Sequence, residues 1–155
     1  MAAWKLIDPN VIRTVFPLVR YATVFPLTSY SKSLFKPSQK LDTINMLFAV
    51  DNLKEWHEQN YGMNKSHYSF IARLTKTKIV RLIQQYGAKI YKNNFKLSTG
   101  ETIQYWIIDQ KDLVSDLNKW ESMAGSSFMQ LPNKVLVDDA KIAANQEINL
   151  TNAVH

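Results

Sequence analysis

The chain has 155 residues, of which 46% are hydrophobic, and this size and composition are typical of one folded domain rather than of a disordered segment. It contains no cysteine, which excludes disulfides, thiolate metal sites and cysteine nucleophiles. A formal net charge of +6 suits an anionic partner such as a phosphate, an RNA or a lipid surface, and does not choose between them.

The N-terminal quarter of the chain predicts a helix, a strand and a loop. Asp8 and Pro9 form a helix start, because the carboxylate can accept hydrogen bonds from the first-turn amides and proline suits the first helical position. Apolar residues at helical spacing extend this helix over about 9–19. β-Branched and aromatic residues over 20–27 predict a strand, and residues 28–40 predict a loop rich in Ser and Lys.

The same quarter carries a charge bias. Residues 1–40 hold six basic residues against one acid, Asp8, and this bias favours an organellar N-terminus. The alternative is a solvated basic face on an ordinary domain. No apolar run approaches the roughly 18 residues needed to span a bilayer, so we do not expect a transmembrane protein.

Residues 44–50 form a nearly continuous apolar run, the pattern of a central strand that is covered on both faces. The run ends at Asp51 and Asn52, a polar carboxyl-terminal edge of the kind beyond which ligands of α/β folds usually bind. Asp51 is also placed to cap the short helix that we predict over 53–59.

Histidine spacing argues against a metal centre. His57 and His67 are ten residues apart, and the only other histidine is the terminal His155. A set this sparse does not make a metal site. We therefore expect a hydrogen-bonded structural role for both residues at the edge of the sheet.

One long amphipathic helix is predicted over about 66–86, with Ser66 as its cap and Gly87 as its stop. Its apolar face consists of Phe70, Ile71, Leu74, Ile79, Leu82 and Ile83. Its opposite side carries the basic residues Arg73, Lys76, Lys78 and Arg81. Such a cluster is either a solvated helix face or a contact for a phosphate or a partner.

A β-hairpin follows, with apolar and aromatic strands over 88–97 and 101–108 joined by a loop at 98–100 that contains glycine. The remaining predicted elements are a helix from Asp109 to a break at 125–127, a strand over 134–137 and a terminal helix that begins at Asp138. Strands that alternate with helices, plus one hairpin, indicate an α/β domain with a mixed sheet.

The sequence VDNLKEWH at 50–57, followed about ten residues later by SHYSF at 66–70, resembles the mitochondrial phosphatidate cytidylyltransferase family. Further matches occur in order at 85–91, 105–108, 116–120 and 124–125, so the similarity covers roughly residues 10–140. Members of that family, also called translocator assembly and maintenance proteins, make CDP-diacylglycerol on the matrix face of the mitochondrial inner membrane. The resemblance implies a nucleotidyltransferase-like fold, in which a Gly-Ser turn holds a nucleotide triphosphate and acidic residues on the next strand hold Mg²⁺.

Several positions depart from the family pattern. The phosphate turn should fall at about 25–31, but that stretch lacks glycine and the first glycine in the chain is Gly62. The metal-binding carboxylate is replaced by Asn45, a lysine by Gln104 and an arginine by Ser126. The resemblance thus implies no catalytic residue, no bound metal and a vestigial nucleotide and metal pocket made of Asn45, Asp51, Asn52, His67 and Tyr68.

These departures lead us to expect a pseudoenzyme: a non-catalytic accessory subunit without a cofactor, peripheral on the matrix face of the mitochondrial inner membrane. Residues 1–155 would form a single degenerate nucleotidyltransferase-like domain, with its core at about 20–140 and a short C-terminal tail. Its partners would be the other subunits of a respiratory complex or of ATP synthase, with possible contact to anionic lipid.

Two alternatives remain open. The first is an active phosphatidate cytidylyltransferase that uses CTP and Mg²⁺ at a rearranged site. The second is a basic RNA-contacting subunit of a mitochondrial ribosome, based on the +6 charge and on Lys76, Lys78 and Arg81. The sequence contains no recognised RNA-binding motif, so nucleic acid is not the expected partner.

Overall fold

A computed structural model describes residues 7–25, 43–86, 89–98 and 100–154. Its centre is a five-stranded sheet with the order β3-β4-β2-β1-β5. The strands are β1 (Tyr21–Phe25), β2 (Thr43–Val50), β3 (Ile90–Lys96), β4 (Thr102–Asp109) and β5 (Lys134–Val137). The β2–β4 pair is parallel and the other three pairs are antiparallel, so the predicted mixed sheet is confirmed.

Helices cover both faces of the sheet, which confirms the predicted α/β class. On one face lie α1 (Asn10–Val15), α2 (Leu53–Met63), a 3₁₀ turn (Lys65–His67), α3 (Phe70–Leu74) and α4 (Lys78–Tyr86). On the other face lie α5 (Gln110–Lys119), α6 (Ala124–Met129) and α7 (Ala140–Val154). None of the helices in the described part of the chain has the length and apolarity that a bilayer crossing requires.

Strand β2 is central because it is apolar on both sides. Met46 and Phe48 contribute to the core under α1 and α2, whereas Leu47 and Ala49 contribute to the core under α5, α6 and α7. This alternation follows from the two-residue period of a strand. It also decides which face each polar side chain of the strand reaches.

The predicted single helix over 66–86 is wrong, because the structure has two helices there. Between them Lys76 and Thr77 have positive φ angles of 48° and 67°. The Thr77 amide donates to the Ala72 carbonyl at 2.9 Å and the Lys76 amide donates to the Arg73 carbonyl at 3.3 Å. These bonds are a Schellman cap, which ends α3 and turns the chain into α4.

The apolar side of these two helices also differs from the prediction. Ala72, Val80 and Gln84 face the interior and are buried. Most of the predicted apolar face is instead exposed, by 42% to 68% of the side-chain surface, at Phe70, Ile71, Leu74, Leu82 and Ile83. The reason is that the interior side carries Gln84, which takes part in a buried hydrogen-bond network described below.

Both ends of the chain differ from the expected boundaries. Helix α1 stops at Val15 rather than at residue 19, because Phe16 is extended and Pro17 cannot continue a helix. The predicted terminal helix is present as the 15-residue α7, which begins at Ala140 rather than at Asp138 and whose Ile142 is fully buried. The predicted loop at 28–40 and the predicted stop at Gly87 lie outside the described residues.

Candidate functional site

His57 is the first member of a buried polar network. Its Nδ1 lies 2.8 Å from the Tyr68 hydroxyl and its Nε2 lies 2.7 Å from Gln84 Oε1. Because Gln84 donates its amide to the Ile107 carbonyl, its oxygen faces His57, and so Nε2–H of the imidazole is the donor. Burial, reinforced by the positive charge of Arg81 and opposed by the Gln84 hydrogen bond, lowers the pKa of His57 from 6.5 to about 4. His57 is therefore a neutral imidazole in a fixed tautomer.

The Tyr105 hydroxyl is the second member of the network. It accepts from Asn60 Nδ2 at 3.1 Å and from Asn93 Nδ2 at 3.2 Å, so its own proton points to His67 Nδ1 at 2.9 Å. The His67 ring stacks on Phe95 with 4.1 Å between the centroids. Burial lowers the pKa of His67 from 6.5 to about 4.

The network is structural, as expected for both histidines. Asn60 links its two halves, because its amide donates to Tyr68 as well as to Tyr105. The bonds join α2, the 3₁₀ turn and α4 to strands β3 and β4. Among its members, His67, Tyr68 and Asn93 border a shallow cavity of about 170 Å³, and Gln84 borders another of about 590 Å³.

Asp51 and Asn52 lie at the carboxyl end of β2. The Asp51 carboxylate pairs with Arg20 Nε at 2.5 Å, and both side chains are about half exposed. The side chain of Asn52 accepts from the Glu55 amide at 3.2 Å and caps α2. The predicted cap is therefore one residue later than Asp51, which forms an ion pair instead.

Asn45 lies near the opposite end of β2. It is 1% exposed, and its Oδ1 has no hydrogen-bond partner within the described residues. Asp51 follows six positions later along the strand direction, at a distance of roughly 20 Å. Its side chain points to the face covered by α5 to α7, whereas His67 and Tyr68 lie on the face of α2 to α4.

The predicted vestigial pocket is therefore not one site. Its five residues occupy three places: the amino end of β2, the carboxyl end of β2, and the network under α2. The sequence resemblance grouped them, but strand length and the alternation of side chains keep them apart.

The described residues do not fit a bound magnesium ion. Magnesium prefers carboxylate oxygens in octahedral geometry. Within the part of the chain that the structure describes, no group of three or more His, Asp or Glu side chains comes together. Asn45 offers one neutral oxygen, and Asp51 is engaged by Arg20. Residues 26–42, which include the expected phosphate turn, lie outside this part of the chain.

Sequence reasoning missed a cavity of about 590 Å³, which opens beyond the carboxyl ends of the parallel strands β2 and β4. Its charged lining consists of Lys54, Lys78, Arg81, Lys89, Asp109 and Asp112. Lys89 pairs with Asp112 at 3.7 Å. Two features of the sequence pointed toward this cavity: the polar end of β2 and the basic side of the 66–86 segment. Nothing in the sequence indicated that these two features lie close to each other or to Lys89 in the fold.

The structural role of Asp116 was also not predicted from the sequence. This buried carboxylate accepts hydrogen bonds of 2.8 to 2.9 Å from the backbone amides of Ser122, Met123, Gly125 and Ser126. Burial alone would raise the pKa of Asp116, but these bonds outweigh burial and lower the pKa from its ordinary value. A Cβ atom at Gly125 would lie 2.4 Å from Leu113 Cδ1, so any larger residue there would force the buried Leu113 side chain to shift.

A family model described as "Phosphatidate cytidylyltransferase, mitochondrial" matches residues 10–155. The chain is 37% identical over 167 residues to the protein of that name from Dictyostelium discoideum, covering 94% of this chain and 38% of that protein. It is 31% identical over 116 residues to the Homo sapiens protein, covering 75% of this chain and 24% of that protein. The Saccharomyces cerevisiae protein is 28% identical over 130 residues, covering 84% of this chain and 32% of that protein.

The chain thus spans between 24% and 38% of the length of these three relatives. The stretch aligned with the Dictyostelium discoideum protein, 167 residues, is longer than this chain of 155. The relative therefore contains positions within the matched region that have no counterpart here.

These findings correct two expectations. The relatives are named as enzymes, so the expected pseudoenzyme and the expected accessory role in a respiratory complex or ATP synthase are wrong. The same names give no support to the RNA-contacting alternative. The match over nearly the whole chain confirms the resemblance noted in the sequence. The chain belongs to the mitochondrial phosphatidate cytidylyltransferase family.

Proposed function

We propose that this chain serves phosphatidate cytidylyl transfer in mitochondria, on the matrix face of the inner membrane. In that reaction a phosphate oxygen of phosphatidate attacks the α-phosphorus of CTP, and pyrophosphate leaves to give CDP-diacylglycerol. The observation that carries the proposal is the family match over residues 10–155. Since the chain spans only part of the length of its relatives, its contribution would be the nucleotidyltransferase-like part.

The arrangement around Asn45 supports a nucleoside contact. Asn45 pairs in register with Phe25, at the end of the sheet where β1 stops and β2 starts. The ring of Phe128 lies 5.2 Å from those of Phe25 and Trp106 on the same face, and both Phe128 and Trp106 are partly exposed. Aromatic rings on the same face of the sheet as an unpartnered amide oxygen suit a cytosine ring with its amino group, because the ring can pack against them and the amino group can donate.

The direct test is formation of CDP-diacylglycerol from radiolabelled CTP and vesicles that contain phosphatidate. We expect turnover by the purified chain, and binding of CTP in isothermal titration calorimetry. Asn45→Leu removes the acceptor at similar volume and should weaken CTP binding about tenfold, as expected for the loss of one buried hydrogen bond. Asn94→Ala, at an exposed position on β3, is the control and should bind CTP like the wild type. Absence of both turnover and CTP binding in the folded wild type would refute the proposal.

A further inference from the structure

Positive charge is concentrated in one continuous segment of the chain. Between Glu58 and Glu101 the sequence contains no Asp or Glu. The eight basic residues in this segment are Lys65, Arg73, Lys76, Lys78, Arg81, Lys89, Lys92 and Lys96. Because the whole chain has a net charge of +6 and this segment +8, the remaining residues together carry −2. The basic character of the protein therefore comes from the 3₁₀ turn, α3, α4 and the edge strand β3.

The same segment exposes large apolar side chains. Helix α3 exposes Phe70, Ile71 and Leu74, and helix α4 exposes Leu82, Ile83 and Tyr86. In each helix these residues have the spacing i, i+1 and i+4, so they lie on one face. Their exposed fractions range from 42% to 77%. Clusters of this kind mark an interaction surface rather than ordinary solvent contact.

The cations beside these apolar residues are available to a ligand. Arg73, Lys76 and Lys78 are exposed and form no ion pair with any residue that the structure describes. The Schellman turn at Lys76 joins α3 to α4, and the two helices are in contact, so the cations at positions 76 and 78 lie where the chain passes from one helix to the other.

We propose that the exposed faces of α3 and α4, with the cations of the turn between them, are the surface by which this protein binds an anionic phospholipid bilayer. Leu, Ile and Phe side chains beside Lys and Arg are the composition of helices that lie in the membrane interface. Basic residues next to a membrane are attracted by the negative surface potential of anionic lipids. An RNA surface would favour stacking aromatic residues, whereas four of the six exposed apolar residues here are aliphatic.

This inference rests on charge and exposure alone and goes beyond the proposed function, because it does not require cytidylyl transfer. The probe is therefore phosphatidylglycerol, an anionic lipid that is not the proposed substrate. We expect the wild-type chain to sediment with vesicles that contain phosphatidylglycerol and phosphatidylcholine, and to stay in solution with phosphatidylcholine alone. Binding should also weaken as salt is added.

Two variants and two matched controls locate the surface. Charge reversal by Lys76→Glu with Lys78→Glu should weaken vesicle binding tenfold or more, about the effect expected when several unit charges are altered. Lys111→Glu with Lys141→Glu makes the same charge change on α5 and α7, which cover the other face, and should have a much smaller effect.

For the apolar component, Leu74→Ser should reduce binding severalfold. Leu150→Ser, at an exposed position of α7, should leave it unchanged. Equal losses in the variants and their controls would overturn the proposal. The membrane proposal would also be overturned if the folded wild-type chain bound CTP but no anionic vesicle, whether or not it self-associated. In that case the proposed function would still stand.

Discussion

Acidification is expected to destabilise the fold through the buried network around His57. The neutral imidazole of His57 donates to Gln84 and accepts from Tyr68, and an added proton would break the second bond and place a charge in the interior. Because the pKa of His57 is about 4 in the folded state and 6.5 when unfolded, the unfolded state binds more protons as the pH falls. The stability is therefore complete above about pH 6.5 and is lost as the pH falls toward 4.

The size of this effect follows from the two pKa values. For His57 alone the loss in free energy of unfolding is roughly 2 kcal/mol at about pH 5 and roughly 3 kcal/mol well below pH 4. His67, whose pKa is also lowered to about 4, acts in the same direction. Such a loss is a large fraction of the ~5–15 kcal/mol that stabilises a typical domain.

Urea unfolding followed by tryptophan fluorescence at about pH 7.5, 6 and 5 measures this dependence. His57→Gln removes one of the two titrations and should reduce the slope of stability against pH in that range. The reasoning would be refuted if wild-type stability stayed constant between pH 7.5 and 5, or if the variant kept the full slope. The buried carboxylate of Asp116 contributes little in this range, since backbone hydrogen bonds lower its pKa further below the range.

Three substitutions test the packing and the polar contacts, each by denaturant unfolding at neutral pH. Gly125→Ala should destabilise the protein by about 1–3 kcal/mol, because the new Cβ would lie 2.4 Å from Leu113 Cδ1. The control is Gly62→Ala, which has open space around it and should be neutral or stabilising. Equal losses of stability in the two variants would contradict the predicted clash. Asp116→Asn replaces one acceptor oxygen that binds two backbone amides and should cost about 2–3 kcal/mol, so an unchanged midpoint would argue against the clamp. Tyr105→Phe leaves three polar groups without their shared hydroxyl and should cost roughly 2–3 kcal/mol, whereas a loss below about 0.5 kcal/mol would show that the network is not closed.

The sheet could be predicted from the sequence because its signals are local. The apolar run at 44–50 and the alternating hairpin strands correspond to β2, β3 and β4 within one or two residues. These strands are rich in β-branched and aromatic residues, which favour strand structure. The glycine in the loop between β3 and β4 indicates that the two form a hairpin.

The helices over 66–86 could not be predicted in the same way. The left-handed turn is made by Lys76 and Thr77 rather than by glycine or proline, so no breaker marks it in the sequence. The apolar periodicity also indicated the wrong interior side, because the buried face carries Ala72, Thr77 and Gln84. In these helices polar side chains of the network face the interior and large apolar side chains face outward, which is the opposite of the arrangement usual for an amphipathic helix.

The spatial arrangement of the candidate site residues could not be predicted from the sequence. The resemblance pointed to Asn45 and Asp51, but a resemblance gives no distance between residues, and these two lie near opposite ends of strand β2. The basic cavity at the carboxyl ends of β2 and β4 needed the fold, because Lys54 and Lys89 come from distant parts of the chain.

The most direct test of the proposed nucleotide contact is an NMR titration of the isotope-labelled chain with CTP. The account predicts that the largest chemical-shift changes occur at the end of β1 and the start of β2, around Phe25, Asn45 and Trp106. Changes confined to the cavity near Lys54 and Lys78, or no changes at all, would contradict it.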